Sequence, residues 1–540
     1  MRIRPFQPLP LLALAAAGLI ALPVLAILRE VFRPDSEGVW AHLLDTVLAD
    51  YVVNSLLLAA GAGLGAALLG VGSAWIVAMH RFRGRGVLEW ALLLPLAMPT
   101  YVIAYVYTDL LQFPGPVQSY LRALFGWQRG DYWFPDVRSL TGAIMVFSLV
   151  FYPYVYVLAR SAFLERSGSL MEAARSLGLS PRRAFFRAAL PLARPAVAGG
   201  VALVVMESLA EFGAVSYFGV PTFTTGIYRA WYAFGSPVAA AQLAAALLGV
   251  IALTLMLEKL SRGRARFHET TLRRPLVPSL SAGRTTMAWL LCLLPLAGGF
   301  LLPAGLLIRM AIGEGDVQFG AKYLELAGNS FTLALIASSL AALLAVLLAY
   351  AERLHPGRPM AAVKRVASLG YAVPGTVIAV GALIPLTAFD HALILYMREH
   401  YGVTLGLVLT GSAIALVFAY VARFLAVALN AVESGMARIR PSIDDAARSL
   451  GAGRGELLAR VHLPMLASGL VSAVLLVFVD VMKELPATIV LRPFNFETLA
   501  TQVYVLAADE RLAEAATPSL AIVVVGLLPV MLLSRAIRRT

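Results

Sequence analysis

About twelve apolar stretches, each long enough to cross roughly 30 Å of hydrocarbon as a helix, constrain this chain more than any other feature. They fall near residues 9–30, 52–79, 87–112, 140–163, 195–218 and 238–258, and again near 286–312, 328–351, 361–388, 405–430, 464–488 and 515–537. With 60% hydrophobic and only 14% charged residues, the 540 residues carry more apolar surface than a soluble fold could hide. The mean hydropathy of +0.79 says the same. The expected fold class is an all-α polytopic membrane protein with six transmembrane helices in each half. The first stretch begins after Arg2 and Arg4 and has no obvious small-residue cleavage site, so it reads as a retained anchor.

Arginine placement orients the spans. Arg160, Arg166, Arg175, Arg182, Arg183, Arg187 and Arg194 crowd one loop, and Lys259, Arg262, Arg264, Arg266, Arg273 and Arg274 crowd the mid-chain linker. Both segments are expected in the cytoplasm, together with the turn at His80–Arg85, the loop from Arg438 to Arg460 and both termini. The opposite loops, near 31–51, 113–139, 313–327 and 389–404, mix acids with few bases. The net charge of +13 follows from this bias and calls for no nucleic acid.

The sequence is written twice. Glu172-Ala-Ala-Arg-Ser-Leu-Gly178 returns as Asp445-Ala-Ala-Arg-Ser-Leu-Gly451, and Leu190-Pro191 returns as Leu463-Pro464, at a shift of about 273 residues. Asn54-Ser55 returns as Asn329-Ser330, and Pro99 with Val102-Ile103-Ala104 as Pro374 with Val377-Ile378-Ala379, at a shift of about 275. The expected organisation is a first half at 1–260, a basic cytoplasmic linker at 261–285 and a second half at 286–540. An even number of spans per half makes this a parallel repeat, with a translocation path expected between the halves.

The repeated motif reads as a short capped helix with a bend. Ser169 to Glu172 and Ser442 to Asp445 have capping-box spacing, Gly178 and Gly451 can adopt a left-handed conformation that ends a helix, and Ser180-Pro181 suits the start of another. Leu-Pro then marks entry into the next span.

These motifs, within loops 166–194 and 432–464, resemble the cytoplasmic signature loop of permease subunits of binding-protein-dependent ABC importers. The resemblance implies two type I permease halves fused in tandem, in a bacterial inner membrane. Each would offer a coupling helix, through Glu172, Ala173, Ala174 and Gly178 and through Asp445, Ala446, Ala447 and Gly451, to one of two ABC ATPase subunits. ATP and Mg would then be bound by those partners, and no cofactor by this chain. Asp445 in place of glutamate, and the run Gly451-Ala-Gly453-Arg-Gly455, imply unequal contacts.

Enzymatic motifs are missing. None of the four lysines, Lys259, Lys322, Lys364 and Lys483, follows a glycine, so the chain has no phosphate-binding P-loop. It holds no His-Glu-x-x-His and no Gly-x-Ser-x-Gly elbow. The one cysteine, Cys292, lies in an apolar span and reads as a small buried hydrophobe.

Glu207 and Glu211 are matched by Asp480 and Glu484 at the same 273-residue shift. Each pair is spaced i, i+4, which on a helix puts both carboxylates on one face. Two readings stand: a carboxylate-lined path and candidate metal site for a hard cation, or pairing with Lys483, Arg229 or Arg492. Tyr152 and Tyr156 share a face of the fourth span, either as further path residues or as packing.

Residues 152–163, 190–195, 217–228 and 493–500 are similar to their counterparts in fused ferric-iron importer permeases. That resemblance implies ferric iron as cargo and a periplasmic substrate-binding protein as partner. Another cation such as thiamine or a polyamine is the nearer alternative, and a proton- or sodium-coupled secondary transporter the more distant one. The outer segment Pro114–Val137, with Trp127, Tyr132, Trp133 and Phe134, fits either a docking surface or an interfacial aromatic belt.

Overall fold

A computed structural model describes residues 8–34, 38–166, 180–262, 279–313 and 320–539. Among these residues no strand forms, and only one isolated bridge joins Arg81 and Ser279. The first half runs α1 (Pro8–Glu30), α2 (Val39–Thr46), α3 (Leu48–Met79), α4 (Arg85–Ala91), α5 (Thr100–Leu111), α6 (Pro116–Phe125), α7 (Leu140–Arg166), α8 (Leu190–Ala210), α9 (Gly213–Tyr217), α10 (Phe223–Tyr232) and α11 (Pro237–Arg262). The second half runs α12 (Ala282–Leu296), α13 (Leu302–Gly313), α14 (Ala321–Leu354), α15 (Arg358–Ala367), α16 (Gly375–Tyr401), α17 (Ala413–Met436), α18 (Pro441–Ser449), α19 (Leu463–Met482), α20 (Pro486–Leu491), α21 (Leu499–Ala508) and α22 (Leu512–Arg539).

Among the described residues, 11 helices are long and apolar enough to cross a membrane, or 12 when one bent pair is taken as a single span. Several expected spans are broken rather than continuous. The stretches 87–112 and 361–388 are broken, because Pro99 and Pro374 have no N–H to continue a helix. A 3-10 turn precedes each break and a new helix starts at Thr100 or Gly375, with a bend of 91° in the first half. The stretch 195–218 likewise stops at Ala210 and restarts as α9. The outer loop expected at 389–404 is helical to Tyr401. Its Asp390 is buried and accepts hydrogen bonds from the N–H groups of Leu409 and Thr410, which ties down the following loop.

The helices gather into two compact units that cut across the sequence halves. One comprises the described parts of Met1–Ala41, Ile227–Ala245 and Phe319–Gln502, and the other those of His42–Gly226, Ala246–Gln318 and Val503–Thr540. Within the first, α1 lies along α15 and α16. Gly381 permits that approach, since a Cβ there would stand 2.3 Å from the Pro23 carbonyl oxygen. Within the second, α3 and α7 pack so closely that a Cβ on Gly70 would lie 2.8 Å from the Tyr152 carbonyl oxygen. A π turn at Ala297–Leu301 joins α12 to α13 and turns out the Gly298 carbonyl, which accepts from Tyr107 Oη at 2.6 Å.

One ion pair recurs in both halves with its charges exchanged. In the first, Arg160 Nη2 of α7 lies 3.4 Å from Glu89 Oε1 of α4. In the second, Glu433 Oε1 of α17 lies 2.9 Å from Lys364 Nζ of α15. Each pair holds the start of a broken span against the end of the next helix. Reversing one member of such a largely buried pair strands two like charges, at a cost of about 3–5 kcal/mol.

Arg160→Glu alone is therefore expected to lower the Tm of the solubilised chain. Adding Glu89→Lys and Arg85→Met, the residue types that the second half carries at these positions, should restore most of the loss. Simple addition of the losses in thermal unfolding would show that the pair does not act as a unit.

Candidate coupling loop and intramembrane acids

The second signature loop forms α18, but its start differs from the expected capping box. Arg440 is the N-cap and Pro441 the first-turn residue, while no side-chain capping bond forms. Proline at N1 explains this, because its fixed φ already suits the first turn and its missing N–H needs no acceptor. The expected stop is present: Gly451 has φ +87°, its N–H reaches the Arg448 carbonyl at 2.9 Å, and Ala452 N reaches the Ala447 carbonyl at 3.0 Å. Asp445 and Ala446 are exposed, Ala447 is half-buried, and Leu450 is 89% exposed. Glu172, Ala173, Ala174 and Gly178 of the first loop lie outside the described residues.

What anchors α18 is a residue that the motif did not single out. Asp444 is buried and takes a bidentate pair from Arg353 at the end of α14, Nε to Oδ2 at 2.8 Å and Nη2 to Oδ1 at 3.0 Å. His462 Nε2 lies 2.9 Å from Asp444 Oδ1, and Arg353 also donates to the Met436 and Ile439 carbonyls. The 34 residues of α14 rise about 51 Å at ~1.5 Å per residue, so its end projects well beyond a ~30 Å hydrocarbon core and reaches the loop. In the repeat register, a shift of 275 at Arg353 and 273 at Asp444 and His462, the first half holds Ala78, Met171 and Ala189. Three coincident departures from the repeat were the signal in the sequence. Arg353 first, and His462 after it, hold the Asp444 carboxyl below the usual carboxylate range against the opposing effect of burial.

The four acids do not lie in pairs on helix faces. α8 ends at Ala210 and α19 at Met482, so Glu207 and Asp480 occupy last turns, whereas Glu211 and Glu484 lie beyond the helix ends. From Leu190 to Glu207, and equally from Leu463 to Asp480, the rise is about 26 Å at ~1.5 Å per residue. The acids therefore sit near the far end of each span rather than at its middle. Glu211 Oε1 accepts from Ala214 N at 2.8 Å at the start of α9, and Glu484 Oε1 accepts from Ala487 N at 2.9 Å at the start of α20. Both carboxylates cap the short helix that follows the break.

Beyond that shared role the halves diverge. Glu484 is buried and paired with Arg423 Nη1 of α17 at 2.7 Å, and it also accepts from Thr488 N and Oγ1. Asp480 pairs with Lys483 at 3.1 Å. Arg423, not the expected Lys483 or Arg492, is thus the partner of Glu484, while Arg492 pairs with Glu497. A Cβ on Gly375 would stand 2.3 Å from Arg423 Nη1, so glycine makes room for the ion pair. In the repeat register the first half carries Val150 and Thr100 at the positions of Arg423 and Gly375. Among the described residues no group of three or more His, Cys, Asp or Glu is arranged to hold a metal ion. The candidate metal set of Glu207, Glu211, Asp480 and Glu484 is accordingly not a preformed centre. Tyr152 and Tyr156 are both buried in helix packing, and Tyr156 Oη donates to the Glu89 carbonyl at 3.0 Å.

The repeated Asn-Ser pairs pin the segment beyond the break. Asn54 Nδ2 donates to the Pro221 carbonyl at 3.1 Å and Ser55 Oγ accepts from Phe223 N at 3.1 Å. Asn329 Nδ2 donates to the Glu497 carbonyl at 3.0 Å and Ser330 Oγ accepts from Leu499 N at 2.8 Å. In each half a threonine, Thr225 or Thr501, accepts at 2.9 Å from the N–H three residues earlier. Their recurrence was visible in the sequence; their target was not.

Glu484→Gln, which leaves Arg423 buried without its anion, should lower stability by about 3–5 kcal/mol. Asp480→Asn removes a half-exposed pair and should cost under about 1 kcal/mol. Equal thermal shifts would contradict the assignment. Arg353→Ala should speed hydrogen exchange across residues 441–451. In the unaltered chain, protection there should stay flat from about pH 8 to 5. A depressed carboxylate contributes fully above its unfolded value, about 3.9, and is lost only as pH falls through its lower folded value.

The family model described as a binding-protein-dependent transport system inner membrane component matches residues 66–266. A Fe(3+)-transport system permease protein of Haemophilus influenzae is 27% identical over 535 residues, 96% of either chain. A ferric transport system permease protein of Actinobacillus pleuropneumoniae is 23% identical over 522 residues, 92% of this chain and 71% of the relative. The molybdenum transport system permease protein of Haemophilus influenzae is 32% identical over 205 residues, 37% of this chain but 86% of the relative. Most of that shorter relative thus matches little more than a third of this chain. Carrying a repeated signature loop and two sets of apolar spans, this chain belongs to the binding-protein-dependent transport system inner membrane components, the permeases of ABC importers.

Proposed function

We propose that the chain is the fused permease of an ATP-driven importer that moves ferric iron, delivered by a periplasmic binding protein, into the cytoplasm. The observation that carries the cargo is similarity along 96% of both chains to a protein named for Fe(3+) transport. Carboxylates matched in both halves at the breaks of α8 and α19 suit a hard cation better than an oxyanion. Glu207, Glu211 and Asp480 would line the entry to the path, with Glu484 holding the α19–α20 break in shape. Two ATPase subunits, binding ATP and Mg, would dock on the two signature loops. In the second loop the exposed Asp445, Ala446 and Leu450 form the contact, carried by the Asp444–Arg353 anchor. The first loop, with Glu172, Ala173, Ala174 and Gly178, would make the other. Both termini would be cytoplasmic, in a bacterial inner membrane.

Reconstitution with its ATPase and binding protein tests the cargo. Ferric-loaded binding protein should stimulate ATP hydrolysis and radioiron uptake, whereas stimulation only by molybdate, sulfate, thiamine or a polyamine would replace ferric iron as the cargo. Glu207→Gln combined with Asp480→Asn should reduce uptake by at least about tenfold, equivalent to ~1.4 kcal/mol, with ATPase assembly intact. Gly451→Val has space around the new side chain but demands an unfavourable left-handed φ. It should leave hydrolysis running while uptake falls, and unchanged stoichiometry of ATP to cargo would remove the second loop from the coupling role.

A further inference from the structure

The segment after α5 contains a helix built inside out. On α6 the inward face is polar: Gln118 Nε2 donates to the Leu111 carbonyl at 2.7 Å, and Gln118 Oε1 accepts from Tyr132 Oη at 2.7 Å. Arg122 donates to the Phe113 carbonyl, Ser119 Oγ and Tyr132 Oη, and its guanidinium lies 4.1 Å from the Phe113 ring centre. The outward face is apolar. Tyr120 is 67% exposed, Leu124 58% and Phe125 56%. Phe125, Trp127 and Tyr132 form a stacked ladder with ring centres 4.6 and 5.1 Å apart, and Trp133 beside it is 86% exposed.

A soluble surface helix has the opposite polarity, so something apolar must cover this face. Its level in the molecule says what. Gln112, the residue that ends α5, lines a cavity of about 260 Å³ together with Met310 in the last turn of α13 and Leu512 at the start of α22. The helices containing Met310 and Leu512 belong to membrane-length spans. Gln112 thus lies where two spans end, and α6, tied to Leu111, runs from that level. Tyrosine and tryptophan rings backed by arginine are the side chains that settle at the boundary between acyl chains and headgroups.

We propose that the apolar face of α6, with Trp127, inserts into the lipid interface as a lateral anchor, and is not the docking surface for the binding protein. Cys292 is the only cysteine and is buried, which makes site-specific labelling direct. Full-length chain with Tyr120→Cys or Leu124→Cys, spin-labelled and placed in phospholipid nanodiscs, is read by power saturation with oxygen and with a water-soluble nickel chelate. Oxygen is expected to relax both labels more than the chelate, with no change on adding binding protein. Greater relaxation by the chelate at both positions, or loss of both accessibilities when binding protein is added, would overturn the anchor. The measurement involves neither cargo nor hydrolysis, so its outcome is independent of the proposed transport activity.

Discussion

Inside a membrane, a broken helix must have its exposed amides met by the protein itself, because lipid offers no acceptor. This chain breaks its fifth and eleventh spans at Ala210 and Met482, and in both places a glutamate just beyond the break accepts the first amides of the next short helix. The architecture beyond both breaks depends on these two carboxylates. They allow α9 and α20 to exist, and those helices carry the chain to the segments that Asn54-Ser55 and Asn329-Ser330 fasten. An acid in a membrane span is often a functional group; here Glu211 and Glu484 cap the helices that follow the breaks.

Duplication preserved such contacts more faithfully than it preserved residues. The pair between the third and fourth spans survives with its charges exchanged, Glu89 with Arg160 and Lys364 with Glu433, because attraction is indifferent to which helix carries the cation. Elsewhere the copies have drifted into different solutions. Arg423 and Glu484 form a buried pair beside Gly375, where the first half's register holds Val150 and Thr100. Arg353, Asp444 and His462 tether the second signature loop through side chains whose counterparts are Ala78, Met171 and Ala189. The support of the second signature loop is thus built from residues that the first half does not repeat.

Legibility in the sequence followed the range of the interaction. The apolar stretches gave away nearly every long helix, since burial in lipid depends on length and composition alone. The Asp445 motif located the second loop, and Gly451 announced a left-handed stop that the structure contains. The helical pairing of Glu207 with Glu211 was misread, because nothing local says that a helix ends at Ala210. Pro441 overrode the capping box expected at Ser442, a case where one fixed dihedral outweighs a side-chain bond.

By itself the sequence determined that the protein lies in a membrane, that it is a tandem repeat and that each copy presents a signature loop, because hydropathy and repetition are properties of the linear chain. Only the tertiary structure decided which acids are caps, which are paired and by which arginine. Arg423 meets Glu484 across 61 residues and Arg353 meets Asp444 across 91. Such partners are chosen by how helices pack, and packing is decided by the close approach of glycines and small residues whose contacts no local pattern records.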